Sequence, residues 1–382
     1  MIDPKPNLRI KILSLINKLL PKSKRQIAVY GRRMLSDNAE ALLDYLISND
    51  YNKKYSIKIC VDKHVPVSKY TGIQNVQIVS NPIYTIFTLL NSMRVFHTHG
   101  MTACAFIPCR NQIIFDLWHG SPLKTIGLMA GNKWYHQTDS YFLCASPFWA
   151  EINKKCFNLD DNQIFIGSYP RNDLLFKKSD NHLLKSICSG TWNIVFMPTF
   201  RNSDQLHKTD SSCDFPLLSP SNIEDLNSFL KDKDVNLIIK PHPYQRHIQL
   251  FDIDLSNIKI ITNEDLHKAE LPLYVLLGAS DALISDFSSV FFDYLLINRP
   301  IAFVVEDMAD YKNQRGFTID NPYTLMPGVK IQTLKDLKEF ILDVVHDKDP
   351  YHTERQKINN LCNTYTSPDA SKRILDFTGI IK

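Results

Sequence analysis

Two histidines occupy points where predicted buried strands give way to tight turns. His119 follows the apolar run QIIFDLW and precedes Gly120, while His242 lies between two prolines in KPHP. Because histidine ionises near neutral pH, it suits general acid or base catalysis. A single histidine at a strand end is most often a hydrogen-bonded structural residue. Two in the same local context, each flanked by Gly or Pro, indicate proton-transfer chemistry.

Polar groups also follow two further predicted strands. Thr199 and Arg201 stand in the segment PTFR, and Asp286 stands in SDFSS. In doubly wound α/β folds, ligands bind outside the carboxyl ends of the strands. The four strand ends therefore predict one ligand site, which two facing domains would place in the cleft between them.

The SDFSS segment indicates a particular kind of ligand. Ser288 and Ser289 open a predicted helix over 288–298, so free backbone N–H groups and the positive end of the helix dipole would attract an anion. The alternative is an ordinary N-cap at Ser288 or Asp286. Basic residues in neighbouring motifs favour a diphosphate ligand, and they are Arg201, Lys240 and Arg315.

Apolar runs alternate with helical patterns along the chain and fall into two blocks. The first block has predicted strands at 26–31, 55–62, 75–80, 94–100, 112–118 and 140–146, and helices at 38–47, 81–93 and after the N-cap Ser146. The second has predicted strands at 193–201, 235–243, 257–262, 282–285 and 300–306, and helices at 221–231, 271–280 and 288–298. A capping box of Ser221 and Glu224 is expected to open the helix at 221–231.

This alternation predicts an α/β protein with two doubly wound, Rossmann-like domains that face each other across a cleft. A polar stretch at 177–192 separates the blocks. The predicted domains are residues 26–180 and residues 190–382, the second including C-terminal helices.

The N-terminal segment 1–25 is predicted to form a basic amphipathic helix. Seven basic residues and no acidic residue lie between positions 5 and 25. Apolar residues recur there at helical spacing, namely Leu8, Ile12, Leu15, Ile16 and Leu19. Such a helix either lies on the anionic inner leaflet of a membrane or packs on its own domain with a solvated basic face. Both interpretations stay open from the sequence.

Composition excludes several other classes of protein. The chain has 382 residues, of which 44% are hydrophobic and 22% charged, as in soluble two-domain proteins. The net charge of +4 does not by itself argue for a nucleic-acid partner. Eight cysteines without a CxxC pair predict reduced thiols and a cytoplasmic protein. The sequence shows no apolar run long enough to span a membrane, no signal-peptide pattern, no P-loop and no GxGxxG motif.

A second pair of histidines raises the question of a metal site. His97 and His99 lie two apart in a predicted strand and would share one face. No acidic third ligand is evident from the sequence, so a structural or substrate-lining role is favoured. We expect no metal and no other cofactor.

The ordered set of motifs resembles the CDP-glycerol glycerophosphotransferase family, which builds teichoic acids and related phosphopolyol polymers. The matching segments are WHGSPLKTIG (118–127), PTFR (198–201), KPHP (240–243), SDFSSVFFDYLLINRPIAFVVED (285–307), YKNQRGF (311–317) and PG (327–328). The resemblance covers roughly residues 95–330, with weaker agreement at 36–46. Small departures stand at Ser121, Phe200 and Phe287, where Thr, Trp and Tyr are common in the family.

The resemblance implies a GT-B fold and transfer of a polyol phosphate from a CDP-polyol to an acceptor hydroxyl, with release of CMP. It implies that His119 is the general base and that His242 contacts the donor phosphates. Asp286 would order the loop that holds the diphosphate. Further binding positions implied by the motifs are Gly120, Lys124, Thr199, Arg201, Lys240, Pro241, Ser288, Ser289, Asp293, Glu306 and Arg315.

The resemblance to short, primase-like members implies a lipid-linked or polysaccharide acceptor, and an enzyme peripheral on the inner face of the cell membrane. Teichoic acid and capsule synthesis are both compatible with it, and so are glycerol and ribitol as the polyol. Two alternatives remain at this point. One is a nucleotide-sugar glycosyltransferase of the same fold, and the other is a non-catalytic scaffold protein.

Overall fold

The computed structural model describes residues 7–31, 33–101, 104–132, 138–198, 217–219, 221–241, 255–305 and 316–382. The chain divides into two compact units. Unit 1 comprises Met1–Pro122, Ile126–Asp173 and Cys362–Lys382, and unit 2 comprises Leu123–Thr125 and Leu174–Leu361.

Each unit is built on one parallel sheet. The strands of unit 1 are β1 Ser23–Tyr30, β2 Ser56–Cys60, β3 Val76–Val79, β4 Ser92–His97, β5 Ile113–Asp116, β6 Tyr141–Cys144 and β7 Ile164–Ile166, in the order β3-β2-β1-β4-β5-β6-β7. Those of unit 2 are β8 Trp192–Phe196, β9 Val235–Ile239, β10 Ile258–Ile260, β11 Ala282–Ser285, β12 Ile301–Val304 and β13 Val329–Ile331, in the order β10-β9-β8-β11-β12-β13. The prediction of two parallel, doubly wound sheets is confirmed.

Helices connect the strands in both units. The described α-helices are α1 Leu8–Leu19, α2 Asp37–Ser48, α3 Pro82–Asn91, α4 Pro147–Phe157, α5 His182–Ile187, α6 Ile223–Asp232, α7 Asn263–Lys268, α8 Leu273–Ala279, α9 Val290–Tyr294, α10 Leu334–Val345, α11 His352–Cys362 and α12 Ala370–Phe377. Short 3-10 helices lie at Tyr51–Lys53, Ser68–Tyr70, Gly127–Ala130, Asp161–Gln163, Pro170–Phe176, Leu295–Ile297 and Pro322–Leu325.

The strands are apolar because the connecting helices cover the sheets, as parallel sheets require. Every residue of β9, β11 and β12 is buried. In unit 2, Ile223, Leu226 and Leu230 of α6 recur at helical spacing and pack into the same core cluster as those strands.

The C-terminal segment differs from the prediction. It was expected in the second domain, whereas Cys362–Lys382 belongs to unit 1. The carboxylate of Asp173 accepts hydrogen bonds from the backbone N of Ala370 at 2.9 Å and of Ser371 at 3.0 Å. These bonds satisfy free N–H groups at the start of α12, which explains why the last helix joins unit 1.

Two helix starts also differ from the prediction. α6 begins at Ile223 after the N-cap Asn222, and no side chain caps it, so the predicted capping box of Ser221 and Glu224 is wrong. The helix predicted at 288–298 begins at Val290 and continues as a 3-10 turn after Tyr294. As described below, Asp286 binds the backbone of Ser288 and thereby delays the first helical turn.

Both faces of α1 carry apolar residues. Ile10 and Leu13 are buried against unit 1. The stripe expected from the sequence lies largely on the other face, where Leu8, Ile12, Leu15 and Leu19 are exposed. The helix therefore packs on its own unit and still presents an apolar surface.

Candidate active site

The first candidate site lies at the carboxyl edge of the unit 1 sheet, in the turn after β5. The backbone of Trp118 is left-handed, with φ of 50°, and Gly120 has φ of 134°. A left-handed conformation is unfavourable for a bulky residue and needs support from its surroundings. Asp116 Oδ1 accepts a hydrogen bond from the Trp118 N at 2.8 Å. Asn38 Nδ2 donates to the carbonyl oxygens of Leu117 at 3.1 Å and Trp118 at 2.7 Å.

The turn places the half-buried His119 ring beside two aromatic neighbours. Its centroid lies 3.9 Å from that of the Trp118 ring and 5.5 Å from that of the His99 ring, with which it is stacked. Trp118 in turn packs against Phe142 and Phe157. The imidazole therefore has ring contacts with two residues, one of which is itself packed in the core.

Burial and nearby ionisable groups together set the protonation state of His119. Asp37 lies 3.1 Å from Arg171 Nη1 and 3.6 Å from His99 Nε2. Burial lowers the pKa of His119 to about 4, with His99 and Arg171 lowering it further and Asp37 opposing them. The ring is therefore neutral at physiological pH and can accept a proton.

A buried cluster lies directly behind this turn. His97 ends β4 and Asp116 ends β5, and the two are register partners on neighbouring strands. His97 Nε2 lies 2.9 Å from Asp139 Oδ1, and His97 Nδ1 lies 3.6 Å from Asp116 Oδ1. All three side chains are buried. We define His97, Asp116 and Asp139 as the buried cluster.

The ionisation of the buried cluster reflects competition between burial and charge. Burial alone would lower the pKa of His97, but the carboxylates of Asp139 and Asp116 outweigh it and raise the pKa to about 9. Burial raises the pKa of Asp116 to about 7, while His97 acts in the opposite direction. The cluster thus retains a proton more strongly in the folded chain than its residues would in water.

Sequence reasoning missed the acidic members of this cluster. His97, Asp116 and Asp139 offer ligand atoms within 4.8 Å of one another, the spacing of a possible metal site. However, the Nε2 of His97 is already hydrogen-bonded to Asp139, so hydrogen bonding accounts for the arrangement. The alignment of the ends of β4 and β5 was the signal that could have linked His97 to Asp116. His99, by contrast, lies near Asp37 and stacks on His119.

The second candidate site lies at the carboxyl edge of the unit 2 sheet. Lys240 directly follows β9 and is buried, and its Nζ donates to the carbonyl of Pro241 at 2.9 Å. Burial lowers the pKa of Lys240 to about 8, and the charge of Asp265 partly offsets the effect. A desolvated ammonium at a strand end can bind an anion strongly, because water screens it poorly.

The loop after β11 carries a second group of predicted residues. Asp286 Oδ1 accepts a hydrogen bond from the Ser288 N at 3.0 Å, while Ser288 and Ser289 are half-buried. Ser285 Oγ is buried, and we find no hydrogen-bond partner for it among the described residues. With five residues, α9 is too short to supply the helix-end anion site predicted from the sequence. Ligand binding here would instead depend on hydroxyls and charged side chains.

Asp293 has a defined role inside unit 2. It is buried, and the Tyr274 hydroxyl donates to its Oδ2 at 2.5 Å. This contact joins α9 to α8.

The remaining predicted residues fall into two groups. Lys124 belongs to unit 2, where it forms an isolated bridge with Phe317, and Thr318 N donates to Leu123 O at 2.9 Å. The WHGSPLKTIG motif therefore contributes His119 to unit 1 and Lys124 to unit 2. Five predicted residues lie outside the described part of the chain, namely Thr199, Arg201, His242, Glu306 and Arg315.

Comparison with solved structures defines the class of fold. The chain is similar to the wall teichoic acid polymerase TagF, with a TM-score of 0.75 and 20% identity over 96% of this chain and 92% of that one. A UDP-N-acetylglucosamine 2-epimerase matches with a TM-score of 0.50 and 12% identity over 95% of this chain and 98% of that one. The fold is GT-B, as predicted.

The sequence comparisons show the family. The model of CDP-glycerol:poly(glycerophosphate) glycerophosphotransferase matches residues 13–378, so the chain belongs to that family. The teichoic acid glycerol-phosphate primase of Bacillus subtilis is 26% identical over 89% of this chain and 88% of its own length. A poly(glycerol phosphate) polymerase of Bacillus spizizenii is 25% identical over 97% and 96%, and a ribitol-phosphate primase from that species is 26% identical over 71% and 70%. The predicted family and reaction class are confirmed, and the chain is a glycerophosphotransferase enzyme.

Proposed function

We propose that this enzyme transfers glycerol phosphate from CDP-glycerol to a hydroxyl of a lipid-linked or polymer acceptor in teichoic acid synthesis and releases CMP. The observation that carries the proposal is the neutral, oriented imidazole of His119 within the WHGSPLKTIG motif. Membership of the family supplies the donor and the reaction class.

The chemistry is an in-line displacement at phosphorus. The acceptor oxygen attacks the phosphorus that bears glycerol, and the bond from that phosphorus to the bridging oxygen of CMP breaks, so that CMP leaves with the electron pair. We assign to His119 the removal of the acceptor hydroxyl proton. The transition state depends mainly on positioning and charge neutralisation, and we assign part of that task to Lys240, Ser288 and Ser289. Residues outside the described ranges, His242 and Arg201 among them, stay predicted donor ligands.

The experiment is a donor screen with purified enzyme and a lipid-linked or short polymer acceptor. CDP-glycerol, CDP-ribitol and several UDP-sugars are supplied separately, and CMP or UDP release is followed with EDTA and with added Mg²⁺. We expect acceptor-dependent CMP release from CDP-glycerol, equal under both conditions because the proposed groups need no metal. Release of UDP with both CDP-polyols inert would contradict the proposal.

Ribitol phosphate is the second candidate for the transferred group. The ribitol-phosphate primase is as similar in identity to this chain as the glycerol-phosphate primase, although over a smaller share of it. The same screen decides between them, because a ribitol enzyme would release CMP faster from CDP-ribitol than from CDP-glycerol.

We further propose that α1 and α3 bind the inner leaflet of the cell membrane, where a lipid-linked acceptor would be presented. The two helices share one core cluster, to which Leu13 of α1 and Leu89 of α3 both contribute. Their opposite faces are apolar and exposed, as shown by Leu8, Ile12, Leu15 and Leu19 on α1 and by Ile83, Tyr84 and Phe87 on α3.

Charge on α1 supports an anionic lipid surface. Arg9, Lys11 and Lys18 are exposed, and the helix contains no acidic residue. Each basic residue near an anionic surface adds about 1 kcal/mol to binding, and burial of a leucine side chain adds about 1.5–3 kcal/mol. Among the described helices, none has the length and apolar character needed to span a bilayer.

Co-sedimentation with vesicles tests the membrane proposal. We expect the enzyme to bind phosphatidylglycerol vesicles better than phosphatidylcholine vesicles, and Leu8→Asn with Leu15→Asn to weaken binding at least about ten-fold. Ile381→Asn is the matched control, because Ile381 is also an exposed apolar residue of unit 1. Equal binding by the double variant and the control would contradict this proposal.

A further inference from the structure

We propose that Asp116 and Asn38 are positioning residues that hold the His119 ring in its place, and that His97, held by Asp139, favours the ionised form of the Asp116 carboxylate. The inference rests on the proposed role of His119 as the base. The buried cluster would then act on the reaction through the position of His119.

The first step is the support of the turn. The left-handed backbone of Trp118 places its N–H and C=O in a conformation that such a residue rarely adopts. Asp116 Oδ1 binds the N–H at 2.8 Å, and Asn38 Nδ2 binds the C=O at 2.7 Å. The two side chains thus hold both the N–H and the C=O of the strained residue Trp118.

The position of Trp118 in turn affects that of His119. The Trp118 ring packs against Phe142 and Phe157, and its centroid lies 3.9 Å from that of the His119 ring. A change in the Trp118 backbone would move the indole and the following imidazole together. Because a misplacement of about 1 Å can cost about a hundred-fold in rate, the support of this turn bears directly on turnover.

The third step concerns the charge on Asp116. An isolated buried carboxylate is costly, and a nearby opposite charge offsets part of the cost. His97 Nδ1 lies 3.6 Å from Asp116 Oδ1, and the His97 ring is held in turn by Asp139 at 2.9 Å. The register of β4 on β5 places His97 and Asp116 side by side. The charge of His97 therefore favours the ionised carboxylate at the position where it supports the turn.

Asn38 supports the C=O side of the same turn, and both polar atoms of its amide form hydrogen bonds. Its Oδ1 accepts a hydrogen bond from the Arg171 N at 3.2 Å, while its Nδ2 serves the turn. Arg171 Nη1 donates to Asp37 Oδ1 at 3.1 Å. The asparagine thus joins α2 and the segment at Arg171 to the turn that carries His119.

The test compares Asp116→Ala, Asp116→Asn and the control Gln112→Ala. Asparagine keeps an acceptor oxygen for the Trp118 N–H, whereas alanine removes it. Gln112 is buried at the opposite end of β5, where its Nε2 donates to Ser92 O at 2.8 Å. For each variant, kcat and the KM for CDP-glycerol are measured per folded molecule, and the His119 ring is titrated by NMR of ¹⁵N-histidine-labelled protein. The signal of His119 is identified by its absence from His119→Asn.

We expect Asp116→Ala to lower kcat about ten- to a hundred-fold with little change in donor KM. The pKa of His119 should move up towards the value of about 6.5 for a solvated histidine. Asp116→Asn should recover most of kcat, and Gln112→Ala should lower stability while leaving kcat and the His119 titration unchanged. Asn38→Ala gives the same readouts if Asp116→Ala does not fold.

Wild-type kcat and an unmoved His119 titration in a folded Asp116→Ala or Asn38→Ala variant would overturn the inference. Equal losses in Gln112→Ala and Asp116→Ala would do the same, because they would indicate a general effect of destabilisation. Failure of the proposed function is distinguishable, since the NMR titration reports the place of the ring whether or not His119 takes part in turnover.

Discussion

Among the contacts of the described residues, the carboxyl edges of the two sheets hold their polar groups in different ways. In unit 1 the groups near His119 come from separate elements and support one another across the edge, as Asn38 of α2 does with the turn after β5. In unit 2, Lys240 donates to the adjacent Pro241, and Asp286 accepts from Ser288 two residues later. The arrangement in unit 1 suits a group whose orientation must be fixed, and the desolvated ammonium of Lys240 in unit 2 suits neutralisation of an anion.

The two units have different proposed tasks. We infer that unit 1 orients the proton acceptor, while unit 2 contributes charge for the donor phosphates. Loss of a unit 1 group should therefore act on kcat, whereas loss of a unit 2 group should act on donor binding.

Lys240→Met gives the largest effect expected of unit 2. It removes a desolvated ammonium but keeps an unbranched side chain of similar length. Because a hydrogen bond to a charged group contributes about 1.5–3 kcal/mol, the KM for CDP-glycerol should rise about ten- to a hundred-fold, more than kcat falls. Steady-state kinetics at pH 7 measure this effect.

Lys259→Met is the control for that variant. Lys259 lies on β10, beside β9, and burial also lowers its pKa, but its Nζ donates to Ser186 O at 2.9 Å and not to the turn after β9. An unchanged donor KM in Lys240→Met, or an equal rise in both variants, would contradict the role of Lys240.

Tyr274→Phe tests whether Asp293 serves structure or substrate. Removal of the hydroxyl takes a hydrogen bond from a buried carboxylate, which should lower the free energy of unfolding by about 1–3 kcal/mol. Turnover per folded molecule and donor KM should remain near wild type. Urea denaturation and steady-state kinetics measure the two quantities, with the exposed Tyr323→Phe as control. A marked rise in donor KM without loss of stability would place Asp293 in the substrate site instead.

The smallest expected effect is a pH dependence of stability in the buried cluster. In the folded chain the pKa of His97 is raised to about 9 and that of Asp116 to about 7. A group whose pKa is raised by folding stabilises the folded state fully at pH values below its unfolded pKa. This stabilisation is lost as the pH rises through the folded pKa. The advantage of the wild type over Asp116→Asn should therefore be larger at pH 5 than at pH 9. Urea denaturation at pH 5, 7 and 9 checks this, and an advantage that grew with pH would contradict the assigned direction.

The sequence predicted the sheets well because strand and helix periodicity is local. The buried runs in β9, β11 and β12 have the apolar character that a covered parallel sheet requires. Contacts between residues far apart in the chain leave no periodic pattern in the sequence. Asp173 caps α12 from 197 positions away in the chain. This contact explains why the C-terminal segment lies in unit 1 and not in the predicted second domain.

The candidate site shows the same limit. His119 and Lys240 could be found because each follows an apolar strand and precedes a turn residue. Asp139 lies 42 positions from its partner His97, and no local spacing connects them. The predicted helix at Ser288 was too early because the Asp286 side chain competes for the backbone N–H there.

His119→Asn removes the proposed base of unit 1 and keeps a polar side chain in its place. Turnover of CDP-glycerol with acceptor is measured beside the dissociation constant of CDP-glycerol, with the exposed His346→Asn as control. We expect kcat to fall about 10²–10⁴-fold with donor affinity nearly unchanged. Wild-type turnover in His119→Asn, or a loss explained entirely by weaker donor binding, would contradict the role of His119 as the base.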